Sequence, residues 1–120
     1  MGFCIFNNIA VGAYHALEQH GLERVAIVDF DVHHGNGTED IVTGDERILF
    51  CSTFQHPFYP HSGYDSTAGN VVNAPLASGA TGTDFREAVH EHWLPRLREF
   101  EPQLVLISAG FDAHQADDMA

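Results

Sequence analysis

The chain has 120 residues, 44% of them apolar and 18% charged, which suits one soluble folded domain and excludes an intrinsically disordered one. Five arginines and no lysine stand against 17 carboxylates, a net charge of −12 with histidines neutral, and so acidic a surface excludes ordinary binding to a phosphate backbone. No apolar run approaches the ~20 residues of a membrane helix, no secretory signal opens the chain, and two cysteines, Cys4 and Cys51, fit a reducing compartment.

Apolar residues Ala10, Ala13, Tyr14 and Leu17 recur at helical spacing over Asn7 to His20, and Gly21 is placed to end that helix. Arg24 to Phe30 is short, apolar and β-branched, the pattern of a parallel strand buried on both faces. A polar, glycine-rich loop follows over Asp31 to Thr38, then a short helical turn over Thr38 to Thr43. A second strand spans Arg47 to Ser52. Thr53 to Thr83 reads as one long loop containing an extended piece at Asn70 to Leu76. Loops of that length inside a compact domain tend to be functional. Thr83 or Asp84 caps a helix reaching Phe100, with Pro95 expected to kink it. A third buried strand, Gln103 to Ala109, completes the series.

Strands apolar on both faces imply an α/β fold, a parallel sheet with flanking helices. Three strands and two good helices cannot cover both faces and both edges of such a sheet, so the chain is expected to be a piece of a larger domain or to have a partner. In open α/β sheets functional groups gather just beyond the carboxyl ends of strands. Two strand ends here carry ligand-type residues: Asp29-Phe30-Asp31-Val32-His33-His34-Gly35-Asn36-Gly37 and Asp112-Ala113-His114. Asp31 and His33 point the same way in an extended segment, and a carboxylate from the other strand end would complete a three-ligand metal site. By spacing alone, a turn aspartate and a hydrogen-bonded loop histidine fit equally well.

Gly2-Phe3-Cys4, Asn7-Asn8, Val28 to Thr38, Phe58-Tyr59-Pro60 and Ser108 to His114 together resemble the zinc-dependent histone deacetylase superfamily. Asn36 and the Ala109 to His114 form are similar to its class II and bacterial members, which include acetylpolyamine amidohydrolases. The match runs in order along nearly the whole chain and corresponds to the middle of the family's arginase/deacetylase-like domain, residues 1–120 being its central part. The resemblance implies that Asp31, His33 and Asp112 hold zinc and that Asp29 orients an active-site histidine. It implies a monovalent cation, potassium, at Asp29 and Ser52 with the backbone of Asp31, His33 and Thr53. A second such site would use the backbone of Val42, Asp45 and Ile48. Gly2, Phe3 and Tyr59 would line a narrow channel for an acyl-lysine side chain.

The reaction implied is hydrolysis of an acyl amide, usually acetyl, on a protein lysine or a polyamine. No Lys/Arg cluster suggests nuclear import, so cytoplasm is the expected location, and the charge and hydropathy lead us to expect no nucleic acid or membrane as partner. The family's general base comes from a His-His pair upstream of the residue matched by Gly2, and its oxyanion-stabilising tyrosine from a Gly-Gly-Tyr run. Neither is among these 120 residues, so the isolated chain is expected to be inactive. Arginase-type ureohydrolases share the fold but bridge two manganese ions with extra carboxylates. Gly35 and His114 stand at those positions, which favours one ion. A nucleotide-binding half is disfavoured because Gly35-Asn36-Gly37 is too short for the dinucleotide fingerprint and no helix is expected to open directly on it. A non-catalytic relative that binds zinc or a partner is the remaining alternative. His15, His20, His90 and His92 read as helix-surface residues, His56 and His61 as loop residues beside the channel, Trp93 as core, and Cys51 as an ordinary strand residue.

Overall fold

The computed structural model describes residues 4–118. Four strands, β1 (Val25–Asp29), β2 (Ile48–Gln55), β3 (Val71–Leu76) and β4 (Leu104–Ser108), form one all-parallel sheet in the order β3-β2-β1-β4. The centre is β1 and β2, the two segments with continuous apolar runs, and both are buried almost throughout. Their side chains alternate between two cores. Val25, Ile27, Ile48 and Phe50 face helix α1 (Asn8–His20) and the short helix α2 (Asn36–Val42), with Ala13, Leu17 and Val42. Ala26, Leu49 and Cys51 face the opposite layer, packed on Trp93, Val89 and Leu97.

Helix α1 begins where Asn7 accepts the Ala10 N–H at 3.0 Å. It ends where Gly21 adopts φ +65°, the left-handed conformation glycine takes without strain. The covering layer on the other face is one long helical segment in three parts: α3 (Gly82–Ala88), a π turn (Val89–Trp93) and α4 (Leu94–Phe100). Pro95 has no N–H to donate back to the preceding turn. The chain accommodates it by widening, with the Leu94 N–H reaching Val89 O, so the expected kink is realised as a π turn ahead of the proline. The cap is Thr81 rather than Thr83 or Asp84. Its hydroxyl accepts the Thr83 N–H while the Asp84 carboxylate takes the Thr81 N–H at 2.6 Å.

Three further expectations are corrected. The long segment 53–83 is not one loop, because Thr53–Gln55 extends β2 and Val71–Leu76 is a fourth strand paired in parallel with it. Pro75 is tolerated there because β3 is an edge strand. Strand β4 is not buried on both faces: Leu104 and Leu106 pack under α1, while Val105 and Ile107 are 46% and 59% exposed at the other edge. An apolar run records that both faces suit burial, and among the described residues only one of them is covered. Finally, a helix does open directly on the glycine-rich loop, with Gly35 at the cap of α2. The loop remains too short to be the dinucleotide fingerprint.

Candidate metal centre

Parallel pairing brings the carboxyl ends of β1, β2 and β4 together. Asp29 is in register with Ser52 on one side and Ser108 on the other. The chain leaves β1 through Phe30 and Asp31 and leaves β4 through Ala109 and Gly110, so the two ligand-bearing segments run side by side. Val32 N–H donates to Asp112 Oδ1 at 3.0 Å, and His33 N–H donates to Asp31 Oδ1 at 2.8 Å. His33 Nδ1 lies 2.8 Å from Asp31 Oδ1 and 3.2 Å from Asp112 Oδ2. One ligand atom from each of Asp31, His33 and Asp112 falls within 4.8 Å of the others, and all three residues are partly buried.

Close packing fixes this arrangement. A Cβ on Gly110 would lie 2.6 Å from Cβ and Cγ of Asp31, so only glycine lets the β4 loop pass that carboxylate. A Cβ on Gly35 would meet Asp29 Oδ2 at 2.6 Å. The donor set fits a metal ion. A ring nitrogen carries at most one proton, which cannot satisfy two carboxylates at once, whereas an imidazole and two carboxylates can share one cation. Two oxygens and one nitrogen suit zinc with a position left open.

Asp29 lies beneath this cluster, 4% exposed. Burial is the main influence on its carboxyl and, with the charge of Asp31, raises it to about 6 against the hydrogen bonds from Asp31 N–H and Ser108. The Asp31 N–H bond measures 3.1 Å. Beside it, Ser52 Oγ is fully buried and has no hydrogen-bond partner among the described residues. An orphaned hydroxyl next to a buried carboxylate is the donor set of a monovalent cation, so these residues fit the ion the sequence resemblance implies there.

Tyr59 stands edge-on to His33, ring centroids 6.3 Å apart, and is 57% exposed. Phe58, to which the sequence reading gave no role, stacks on the same imidazole at 5.2 Å with an interplanar angle of 24°. Its adjacency to Tyr59 was the available signal. Gly2 and Phe3 lie outside the described residues. A cleft of about 680 Å³ opens beside Asp31, lined by Phe30, Thr53, Phe85, Phe111 and His114 among others. Its lining includes neither His33, Asp112 nor Tyr59, so it is distinct from the aromatic approach to the cluster.

A second network also escaped the sequence reading. His34 is buried, with Nε2 2.6 Å from Glu39 Oε2 and Nδ1 2.8 Å from Ser62 Oγ. Asn73 on β3 donates to the same Glu39 oxygen at 2.8 Å and to Gly63 O at 2.9 Å. Burial raises the Glu39 carboxyl, but bonds from His34, Asn73 and Ser66 outweigh it and hold the group at about 2. This network ties the loop carrying Phe58 and Tyr59 to α2 and β3. The adjacent carboxylate five residues after His34 was its only trace in the sequence.

A parallel sheet with these residues at its carboxyl edge has the arginase/deacetylase fold, and comparison with known proteins narrows it further. The family model for the histone deacetylase domain matches residues 1–120, and the chain belongs to that family. Histone deacetylase 14, chloroplastic, of Arabidopsis thaliana is 44% identical over 126 residues, covering all of this chain and 30% of the relative. The crystal structure of the HDA15 HD domain superposes with a TM-score of 0.91 at 41% identity, covering 99% of this chain and 36% of that one. An acetylpolyamine aminohydrolase from Burkholderia pseudomallei gives 0.90 at 34% identity, again over 99% and 36%. The chain thus spans about a third of the length of the proteins it matches. Among the described residues no helix is long and apolar enough to cross a membrane.

Proposed function

We propose that the chain is the central part of a zinc-dependent amide hydrolase that removes acyl groups, acetyl above all, from lysine side chains or polyamines. The observation that carries this reading is the convergence of Asp31, His33 and Asp112 on one point at the carboxyl edge of the sheet. A zinc ion held there would polarise the amide carbonyl and lower the pKa of a bound water. The residues of this chain prepare that point. Backbone N–H groups of His33 and Val32 orient the two carboxylates. Phe58 stacks on the imidazole and Tyr59 meets it edge-on, and together they present an apolar wall to an incoming methylene chain, a role proposed also for Gly2 and Phe3.

Asp29 acts as a positioning residue for an active-site histidine. With Ser52 and Thr53 it would also hold a monovalent cation, potassium by preference, supported by the unpartnered Ser52 hydroxyl. An acylated polyamine, cationic at its free amines, is supported as substrate by the −12 charge and by the name of the Burkholderia neighbour, an acetylpolyamine aminohydrolase. Cytoplasm is the proposed location, supported by free Cys4 and Cys51.

These 120 residues contain no Gly-Gly-Tyr and no His-His other than His33-His34. The isolated chain is therefore expected to bind zinc without turnover. Titrating zinc into the chain and assaying it on an acetyl-lysine peptide and an acetylpolyamine tests both parts. One zinc per chain, lost in Asp31→Asn, with no hydrolysis is the expected result. Failure to bind zinc overturns the hydrolase assignment, and turnover overturns the expected inactivity.

A further inference from the structure

The resemblance that places a first monovalent cation at Asp29 and Ser52 implies a second one among the backbone carbonyls of Val42, Asp45 and Ile48. The geometry of that corner does not fit an ion. The side-chain amide of Asn70, at the start of β3, points into it. Asn70 Nδ2 donates to Val42 O at 2.7 Å, Ile48 O at 3.0 Å and Asp45 O at 3.1 Å. The other end of the same carboxamide is also engaged, since Oδ1 accepts the Gly44 N–H at 3.0 Å.

These four contacts decide the orientation of the amide. Rotating it by half a turn would set an oxygen against three carbonyls and an NH2 against an N–H, losing every bond at once. An NH2 group has two hydrogens, so one is shared between two of the three acceptors. The carbonyls have converged on one point more tightly than ordinary hydrogen bonding of an asparagine requires. Val42 and Ile48 are fully buried, so their carbonyl dipoles face one another with little screening by water and need a positive partner.

We propose that the Asn70 carboxamide takes the place of a cation at this corner, and that the chain binds no monovalent ion among the carbonyls of Val42, Asp45 and Ile48. The α2–β2 corner is then closed by a covalently attached donor and holds its shape whatever salt is present. The same side chain fastens the start of β3 to that corner. The argument stands apart from the Ser52 site, since it uses no residue of it.

Thallium(I), a monovalent ion that is visible by anomalous scattering, tests the proposal on the unaltered protein. Crystals grown with thallium in place of potassium should show no peak in contact with these three carbonyls, whether or not one appears at Ser52. A peak there overturns the proposal.

Variants give a second test. Asn70→Asp keeps the acceptor for Gly44 N–H and removes the donors. It is made in a Ser52→Ala background, which suppresses any response of the other site. In tetramethylammonium chloride its thermal midpoint should fall by roughly 5 °C or more, and potassium should restore part of the loss, while the Ser52→Ala parent responds to neither salt. Asn70→Ala should behave in the same direction if the aspartate variant does not fold. A parent stabilised by potassium through a response that both Asn70 variants lose, or variants as stable as the parent in tetramethylammonium, overturns the inference.

Discussion

Val32 and Asp112 lie 80 residues apart in the chain and are joined by a 3.0 Å bond from the Val32 N–H to Asp112 Oδ1. That bond aims the other oxygen of Asp112 at His33 Nδ1, 3.2 Å away. The register of β1 with β4 therefore does more than close the sheet. It brings a carboxylate from one strand end to an Asp-x-His from the next, and neither segment alone could hold an ion with three protein ligands.

Asp112→Asn separates these roles. The amide oxygen can still accept from Val32 N–H, so stability without metal should change little. Zinc affinity should fall by more than the ~10–100-fold that loss of a mere supporting partner costs. Urea unfolding without zinc reads the first effect and calorimetric titration of zinc the second. Unchanged zinc affinity would remove Asp112 from the ligand set.

Gly110→Ala should damage the site without replacing a ligand. Its new Cβ would sit 2.6 Å from Asp31 Cβ and Cγ, and backbone and side chain must separate. A loss of about 1–3 kcal/mol in unfolding free energy is expected, with weakened zinc binding. Wild-type values of both would show that the strand ends are looser than this packing implies.

Glu39 makes stability depend on acid. Its carboxyl is held at about 2 in the folded chain against an ordinary 4.5, so the unfolded chain binds the proton more readily. The resulting stabilisation, on the order of 2 kcal/mol, is fully present above about pH 4.5 and lost as pH falls toward 2. Glu39→Gln should be less stable than wild type at pH 7, and the difference should shrink steadily between pH 4.5 and 2. Denaturant unfolding across that range checks it. A difference independent of pH would contradict the assigned charge.

Ser52→Ala addresses the orphaned hydroxyl. Without a bound cation, removing a buried unpartnered group should be neutral or slightly stabilising, by up to ~1 kcal/mol. With potassium, wild type should gain stability and the variant should gain none. Thermal unfolding in potassium and tetramethylammonium salts distinguishes the two proteins. Equal responses would dissociate Ser52 from cation binding.

Much of this architecture was legible because its signals are local. The apolar runs of β1 and β2, the helical spacing ending at Gly21, and the ligand-type residues after two strands can be read from short windows. What escaped depends on contacts between distant segments. Strand β3 carries Asn73 and Pro75 and lacks a clean alternation, and pairing with β2 rather than its own propensity makes it a strand. The exposure of Val105 and Ile107 could not be read from β4, whose composition is that of a fully covered strand. Phe58 on His33, His34 on Glu39 and Ser62, and Asn70 among three carbonyls are side-chain meetings that spacing does not encode.

The central claim is that Asp31, His33 and Asp112 hold one zinc ion. Diffraction data collected on both sides of the zinc absorption edge, from crystals of the chain grown with zinc, test it most directly. The account predicts a single strong anomalous peak in contact with His33 Nδ1 and with one oxygen from each of Asp31 and Asp112. Zinc bound at other residues, with no peak at this cluster, would contradict it.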